Sequence, residues 1–132
     1  MNAPVTEPEN LNREALQARQ LQRLQHLVKE VSSTNEFWQK KWSVAGVDVN
    51  SIQILSDLQK LPITTKSELV EDHMAHAPYG TNLTYPVENY TRMHQTSGTT
   101  GSPMRWLDTK ASWDWFSECW AQIYRMVGFF FF

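Results

Sequence analysis

The sequence predicts an α/β chain in which helices are followed by a strand–loop–strand and a long helix, and an incomplete example of that class. Three observations carry the expectation. Apolar residues recur at helical spacing over two long stretches, one near each end. Between them lie only two short strand candidates, separated by the glycine- and hydroxyl-rich TSGTTGSP. Two short strands do not form an independently stable sheet, so more sheet or more helix cover is expected than this chain holds.

The bulk composition narrows the possible classes. A length of 132 residues suits one domain. A net charge of −2 and a pI near 6.1 give no basic field for nucleic acid or anionic lipid. One cysteine, Cys119, forms no internal disulfide and suits a reducing, cytoplasmic compartment. The opening MNAPVTEPEN is acidic and polar, unlike a secretory signal, and no run approaches the roughly 20 apolar residues of a membrane helix.

Residues 1–10, with two prolines, are expected to form a mobile leader, and the folded part to run over 11–132. From Leu11 to Val31, Leu24, Leu27, Val28 and Val31 fall at i, i+3, i+4 and i+7, with Leu16 and Leu21 extending the stripe, which predicts an amphipathic helix. Ser32, Ser33, Thr34 and Asn35 are expected to break it, and Asn35 to cap a short helix carrying Phe37, Trp38 and Trp42. Gly46 opens a loop, and Ile52 to Leu61 is a brief apolar stretch closed by Pro62. Thr65 and Glu68 have capping-box spacing, so a helix is expected over Lys66 to Ala75, stopped by Pro78 and Gly80. Tyr90 to His94 and Pro103 to Leu107 are the strand candidates. Trp113, Phe116, Trp120, Ile123, Tyr124 and Val127 then follow helical spacing from about Thr109, with core packing the first expectation for the stripe.

The stretch richest in chemistry is Thr96 to Pro103. Gly98 and Gly101 can take positive φ and let backbone approach a ligand, and Thr96, Ser97, Thr99, Thr100 and Ser102 bring hydroxyls. Successive N–H groups in such a turn can bind an anion, and hydroxyls add donors to phosphate or ligands to Mg²⁺. The pattern matches neither G-x-x-x-x-G-K-[ST] nor G-x-G-x-x-G. By spacing alone, a flexible serine- and threonine-rich turn explains it equally well.

T-S-G-T-T-G-S-P resembles the phosphate-binding signature of adenylate-forming enzymes. The flanking RLQHLVKEVSSTNEFWQKKW, LSDLQKLPITTKSEL and DTKASWDWFSECWAQIYRMVG are similar, in this order, to the start of the phenylacetate-CoA ligase family. The resemblance covers about residues 20–128 and implies the N-terminal part of the large AMP-binding domain. It implies ATP, Mg²⁺ and coenzyme A as cofactors, an aryl or acyl carboxylic acid as substrate, and neither nucleic acid nor membrane as partner. Carried over, Thr96, Ser97, Gly98, Thr99, Thr100, Gly101 and Ser102 would hold the phosphates that leave as pyrophosphate, with Thr99 or Thr100 on the metal. Many members carry lysine where this chain has Ser102, and many of the wider superfamily have a basic residue directly after the proline, where Met104 stands. Arg105 follows and is the candidate for the missing positive charge. The family's later motifs and its catalytic lysine are absent, so the isolated chain is expected to be an inactive N-terminal fragment. Gly128 and Phe129 to Phe132 read as the start of a strand cut short.

Other residues attract plainer readings. His73 and His76 have H-x-x-H spacing, but no complete ligand set accompanies them, and surface histidines are expected. His94 lies beside the loop, in reach of a phosphate or substrate, but a strand residue with a satisfied ring is the first expectation, since nothing in the sequence pairs it with an acid or nucleophile. Cys119 is expected to be a packed thiol. Trp106 and Trp115 fall off the helical stripe and are candidates for an aromatic-acid pocket. Two further functions compete with the ligase reading. One is a helical interaction protein; the other takes Gly98 to Gly101 as the GXXG clamp of a small nucleic-acid module, against which the lack of a basic residue in the loop counts.

Overall fold

The computed structural model describes residues 8–97 and 103–129. The order of elements is α1 (Arg13–Thr34), α2 (Glu36–Val44), α3 (Lys66–Ala75), β1 (Tyr90–Gln95), β2 (Arg105–Thr109) and α4 (Lys110–Met126), with short 3-10 turns between them. Of the expected leader, residues 1–7 lie outside the described residues. Pro8–Asn10 form a 3-10 turn, and Glu9 pairs with Arg125 of α4.

The first helix does not stop at its serines. Ser32 Oγ donates to Lys29 O at 2.9 Å and Ser33 Oγ to Glu30 O at 2.7 Å, so these hydroxyls bond back into their own helix instead of competing with it. The break falls on Asn35 alone, whose backbone is extended and whose side-chain oxygen accepts from Trp38 N at 3.3 Å, capping α2. Asn35 is buried, and its Nδ2 also donates to Asn82 Oδ1 (3.0 Å) and Thr84 Oγ1 (3.1 Å). Thr34 Oγ1 adds a bond to Thr84 O at 2.7 Å. The segment leading into β1 is therefore stitched to the α1–α2 junction.

Val28, Trp42 and Ile52 form the principal core, with Leu24, Val31, Trp38, Val47, Val49 and Leu61 packed against it. Ile52 stands between two 3-10 turns, Val49–Ser51 and Leu55–Lys60, where the sequence indicated only a brief apolar stretch. Gln25 Nε2 holds its carbonyl at 2.8 Å, and the Asp57 carboxylate accepts from Gln53 N and Ile54 N, fixing the second turn. These backbone bonds, reinforced by Lys60, bring the Asp57 carboxyl down to about 2.

Helix α3 starts as its spacing predicts: Thr65 Oγ1 accepts from Glu68 N while Glu68 Oε2 accepts from Thr65 N at 2.7 Å. Past its end, Gly80 has φ 76°, and a Cβ there would lie 2.3 Å from Asp72 Oδ2. This position requires glycine, and it lets Thr81 donate from N (2.7 Å) and Oγ1 (2.6 Å) to the Asp72 carboxylate.

Strands β1 and β2 pair antiparallel, with Arg92 opposite Asp108, His94 opposite Trp106 and Gln95 opposite Arg105. A bulge lies between Tyr90 and Arg92. The second strand begins two residues later than its sequence pattern suggests. Pro103 has no N–H for a ladder, and the N–H of Met104 is taken by a side chain, so pairing starts at Arg105. Thr109 ends the strand and caps α4, accepting from Ser112 N at 3.1 Å.

On α4 the structure corrects an expectation. The stripe forms a continuous ridge of rings, with centroid spacings of 5.3 Å (Trp113–Phe116), 6.3 Å (Phe116–Trp120) and 6.1 Å (Trp120–Tyr124). Phe116 and Trp120 nevertheless stay about half exposed, at 50% and 47%. The helix is amphipathic as its spacing says, but the two-stranded sheet and the 8–10 turn do not reach across its apolar face. Cys119 is a free, half-buried thiol on this helix. Among the described residues no helix is long and apolar enough to cross a membrane.

Candidate functional site

The glycine-rich loop joins the paired ends of β1 and β2, and its neck is closed by one residue. Thr96 N donates to Met104 O at 2.9 Å, and Thr96 Oγ1 accepts from Met104 N at 2.9 Å. This double clasp, side chain on one arm and backbone on the other, holds both ends of residues 97–103 at a single point. Met104 is itself buried, at 4% exposure, so the exit arm is anchored below by an apolar side chain. Ser97 and Pro103 are exposed at the mouth. Gly98, Thr99, Thr100, Gly101 and Ser102, which carry most of the expected phosphate contacts, lie outside the described residues.

Arg105, the candidate for the missing positive charge, stands opposite Gln95 at the base of the hairpin. Its Nε donates to Gln95 Oε1 at 3.2 Å and its Nη1 to Pro78 O at 3.3 Å. The guanidinium thus lies along the base of the hairpin, engaged with two neutral oxygens and with no carboxylate among these partners. A cavity of about 230 Å³ opens beside it, lined by Val70, His73, Met74, Ala77, Pro78, Pro103 and Met104 as well as Arg105.

Of the histidines, His73 departs from its plain reading as a surface residue. His73 is half-buried, with Nδ1 2.8 Å from Leu69 O and Nε2 2.9 Å from Arg105 O. His76 is the exposed residue that ends α3. The two do not converge, and among the described residues no group of three His, Cys, Asp or Glu could hold a metal ion. His94 does have an acidic neighbour, since its Nε2 lies 3.4 Å from Asp108 Oδ2 across the ladder. Its ring stacks on Trp113 at 5.2 Å, and the Arg92 guanidinium lies over the same indole at 4.3 Å. Of the two pocket candidates, Trp115 has the Arg23 guanidinium of α1 over its ring at 3.9 Å, and both it and Trp106 on β2 are exposed.

Residues that sequence reasoning passed over turn out to position the loop. Thr96 was legible as a hydroxyl but not as a clasp, because its partner depends on strand register. The contact from His73 to Arg105 spans 32 residues and has no local signal at all.

Comparison with known proteins bears on this geometry. No family model matches the chain. It is 35% identical over 102 residues to a phenylacetate-coenzyme A ligase of Escherichia coli, covering 77% of this chain and 22% of that protein. It is 39% identical over 97 residues to the phenylacetate-coenzyme A ligase of Thermus thermophilus, covering 74% of this chain and 21% of that one. Among solved structures, a 2-hydroxyisobutyryl-CoA ligase in complex with 2-HIB-AMP and CoA superposes with a TM-score of 0.75 at 27% identity. That match takes in 86% of this chain and 25% of the ligase. The fold is thus part of that of an adenylate-forming CoA ligase, and the chain spans about a fifth of the length of the curated relatives it matches. A helix-supported hairpin around a clasped glycine loop goes with sequence identity at this level over most of the chain: the chain is similar to about a fifth of the length of these phenylacetate-coenzyme A ligases.

Proposed function

We propose that residues 11–132 form the opening part of the AMP-binding domain of an acid–thiol ligase, and that residues 96–103 are its phosphate loop. The observation that carries the reading is the identity to curated phenylacetate-coenzyme A ligases over some three-quarters of the chain. The clasp between Thr96 and Met104 supports it, since a loop that must present N–H groups to a phosphate needs its two ends fixed before the ligand arrives.

In the reaction, a carboxylate oxygen of the acid attacks the α-phosphorus of ATP, the bond to the β-phosphate oxygen breaks, and pyrophosphate leaves. The coenzyme A thiol, losing its proton, then attacks the acyl carbon, and AMP leaves. This chain's part lies in the first step. Backbone N–H groups of Gly98 to Ser102, with the hydroxyls of Thr96, Ser97, Thr99 and Thr100, would hold the departing phosphates as charge moves onto them. Mg²⁺ would arrive with the nucleotide, screening its charge, and Thr99 or Thr100 would supply a hydroxyl. Arg105, already at the hairpin base, would add long-range positive charge. The acid is an aryl or acyl carboxylate, chosen by residues outside this chain. A reducing, cytoplasmic setting and the absence of nucleic-acid or membrane partners complete the proposal.

The test is a segment exchange. The matched residues of the Escherichia coli relative are replaced by those of this chain, and ATP–pyrophosphate exchange is measured with phenylacetate. Exchange is expected in the chimera and lost with Gly101→Val, while the 132-residue chain alone shows none. A folded chimera without exchange, or exchange indifferent to Gly101→Val, overturns the loop assignment. Arg105→Ala is expected to weaken ATP binding in the same chimera, and unchanged affinity removes Arg105 from the site.

A further inference from the structure

The ring of His73 lies between two backbone carbonyl oxygens. Leu69 O, one turn back in α3, is 2.8 Å from Nδ1, and Arg105 O, on the exit strand of the glycine loop, is 2.9 Å from Nε2. A carbonyl oxygen only accepts, so each nitrogen makes its bond only by donating, and a neutral imidazole has a single N–H. Both bonds exist together in one protonation state, the imidazolium. We propose that His73 acts as a charged positioning residue for the loop: protonated, it bolts the exit strand to α3 and sets a positive charge against the exit strand of a loop whose sequence contains none.

The surroundings suit a cation. Asp72 Oδ2 and His73 Nδ1 both border Gly80, where an added Cβ would lie 2.3 Å from the first and 3.1 Å from the second. The carboxylate is held there by Thr81 N and Oγ1, so a negative charge stands beside the ring. The like charge nearby is Arg105, whose guanidinium is directed to Pro78 O and Gln95. Of the other charged groups of α3, Glu68, Glu71 and His76 line a groove against α2 with Lys40 and Lys41, which Asp72 borders as well, and Lys66 is exposed in the first turn. On the hairpin, Arg92, His94 and Asp108 are engaged around Trp113 and with one another.

Deprotonation turns one ring nitrogen into an acceptor facing another acceptor, and the ring can no longer keep this pose. If Nε2 loses its proton the bolt to Arg105 opens directly; if Nδ1 does, the ring must turn from Leu69 O and carries Nε2 with it. The loop neck is therefore more firmly closed while the ring is an imidazolium than after it has lost a proton. The consequence for phosphate binding rests on the function proposed above, but the fastening itself does not.

The experiment uses the whole 132-residue chain. Nitrogen NMR of the His73 ring is followed from about pH 5 to 8, together with hydrogen-exchange protection of the Thr96 amide, which donates to Met104 O. At the acid end of the series both ring nitrogens are expected to carry a proton, each donating to its carbonyl. As the ring titrates, Thr96 protection is expected to fall roughly fivefold, the scale of one lost hydrogen bond. In His73→Gln, which keeps one donor and cannot charge, protection is expected to be flat with pH. A ring with one bare nitrogen at the acid end, or Thr96 protection that stays constant while wild-type His73 titrates, overturns the inference, and neither reading needs the variant to fold. In the active chimera, KM for ATP should rise with pH, and the same chimera carrying His73→Gln should lose that rise. A pH-insensitive neck in a chimera that exchanges pyrophosphate sinks this inference alone; a pH-sensitive neck in an inert chimera sinks the function alone.

Discussion

The two halves of the molecule treat their apolar residues differently. In the first, Val28 of α1, Trp42 of α2 and Ile52 of the following turn meet in one cluster, each no more than 6% exposed. In the second, α4 carries a longer and more aromatic stripe, yet Phe116, Trp120 and Ile123 are all about half exposed. The amphipathic pattern is present in both, and only the cover differs. Consecutive helical elements of the first half close on one another. The two-stranded hairpin and the Pro8–Asn10 turn that meet α4 leave its aromatic stripe half exposed. The hairpin and its loop therefore depend on the first half for support, through Asn35, Thr34 and His73, while the ridge of α4 stays open.

The largest effects are expected where cover is complete. Ile52→Ala removes a side chain that is 1% exposed at the meeting point of α1 and α2, and should cost about 3 kcal/mol by chemical denaturation. A loss below about 1 kcal/mol would mean that the first half is no better packed than the second, and would erase the contrast. Asn35→Ala comes next. It removes the α2 cap and strands Asn82 and Thr84, for an expected loss of roughly 2 kcal/mol. Its distinguishing mark is spatial: amides near Thr84 and Tyr90 should lose exchange protection along with those of α2. Deprotection confined to α2 would show that the stitching between halves carries no weight.

How far the sequence announces this structure follows the range of the interactions. Thr65 and Glu68 act within one helical turn, and the helix they start runs from Lys66 to Ala75, the span their spacing indicates. Asn35 as the α2 cap is equally local. The hairpin around the glycine loop was legible from turn chemistry, but its second strand was displaced by two residues, because Thr96 claims the Met104 N–H and pairing cannot begin earlier. The serines at 32 and 33 misled because a hydroxyl can either break a helix or bond back into it. Hidden entirely were the uses of His73, Thr84 and Asp72, whose partners lie 9 to 50 residues away. For the candidate site, the loop residues were visible as a motif, while everything that positions the neck of that loop came from tertiary contacts.

A subtler effect links the α2–α3 groove to pH. Lys41 hydrogen-bonds Glu68, and this bond, with the Thr65 backbone bond behind it, brings the Glu68 carboxyl down to about 2 from an ordinary 4.5. A carboxyl lowered on folding adds stability that is fully present above its unfolded value and is lost as pH falls through its folded one. Acidification from pH 4.5 towards 2 should therefore destabilise the chain, and Lys41→Met should flatten part of that slope while changing little at neutral pH. Because Glu68 is partly exposed and the pair is screened, raising the salt concentration should also blunt the wild-type slope. Identical acid titrations for the two proteins would show that the pair contributes nothing to the fold.

The smallest change in stability is expected from the most drastic substitution on the ridge. Trp120→Lys replaces a large aromatic at the centre of α4 by a charged residue of good helix propensity. With 47% of Trp120 exposed and ring neighbours on its own helix, the unfolding free energy should move by less than about 0.5 kcal/mol. What should change is association, since a contiguous exposed apolar patch promotes it. Light scattering at rising concentration should show the wild-type chain forming larger species and the variant fewer. A loss of about 2 kcal/mol or more would instead show that the ridge is covered within this chain, and that both halves bury their apolar faces alike.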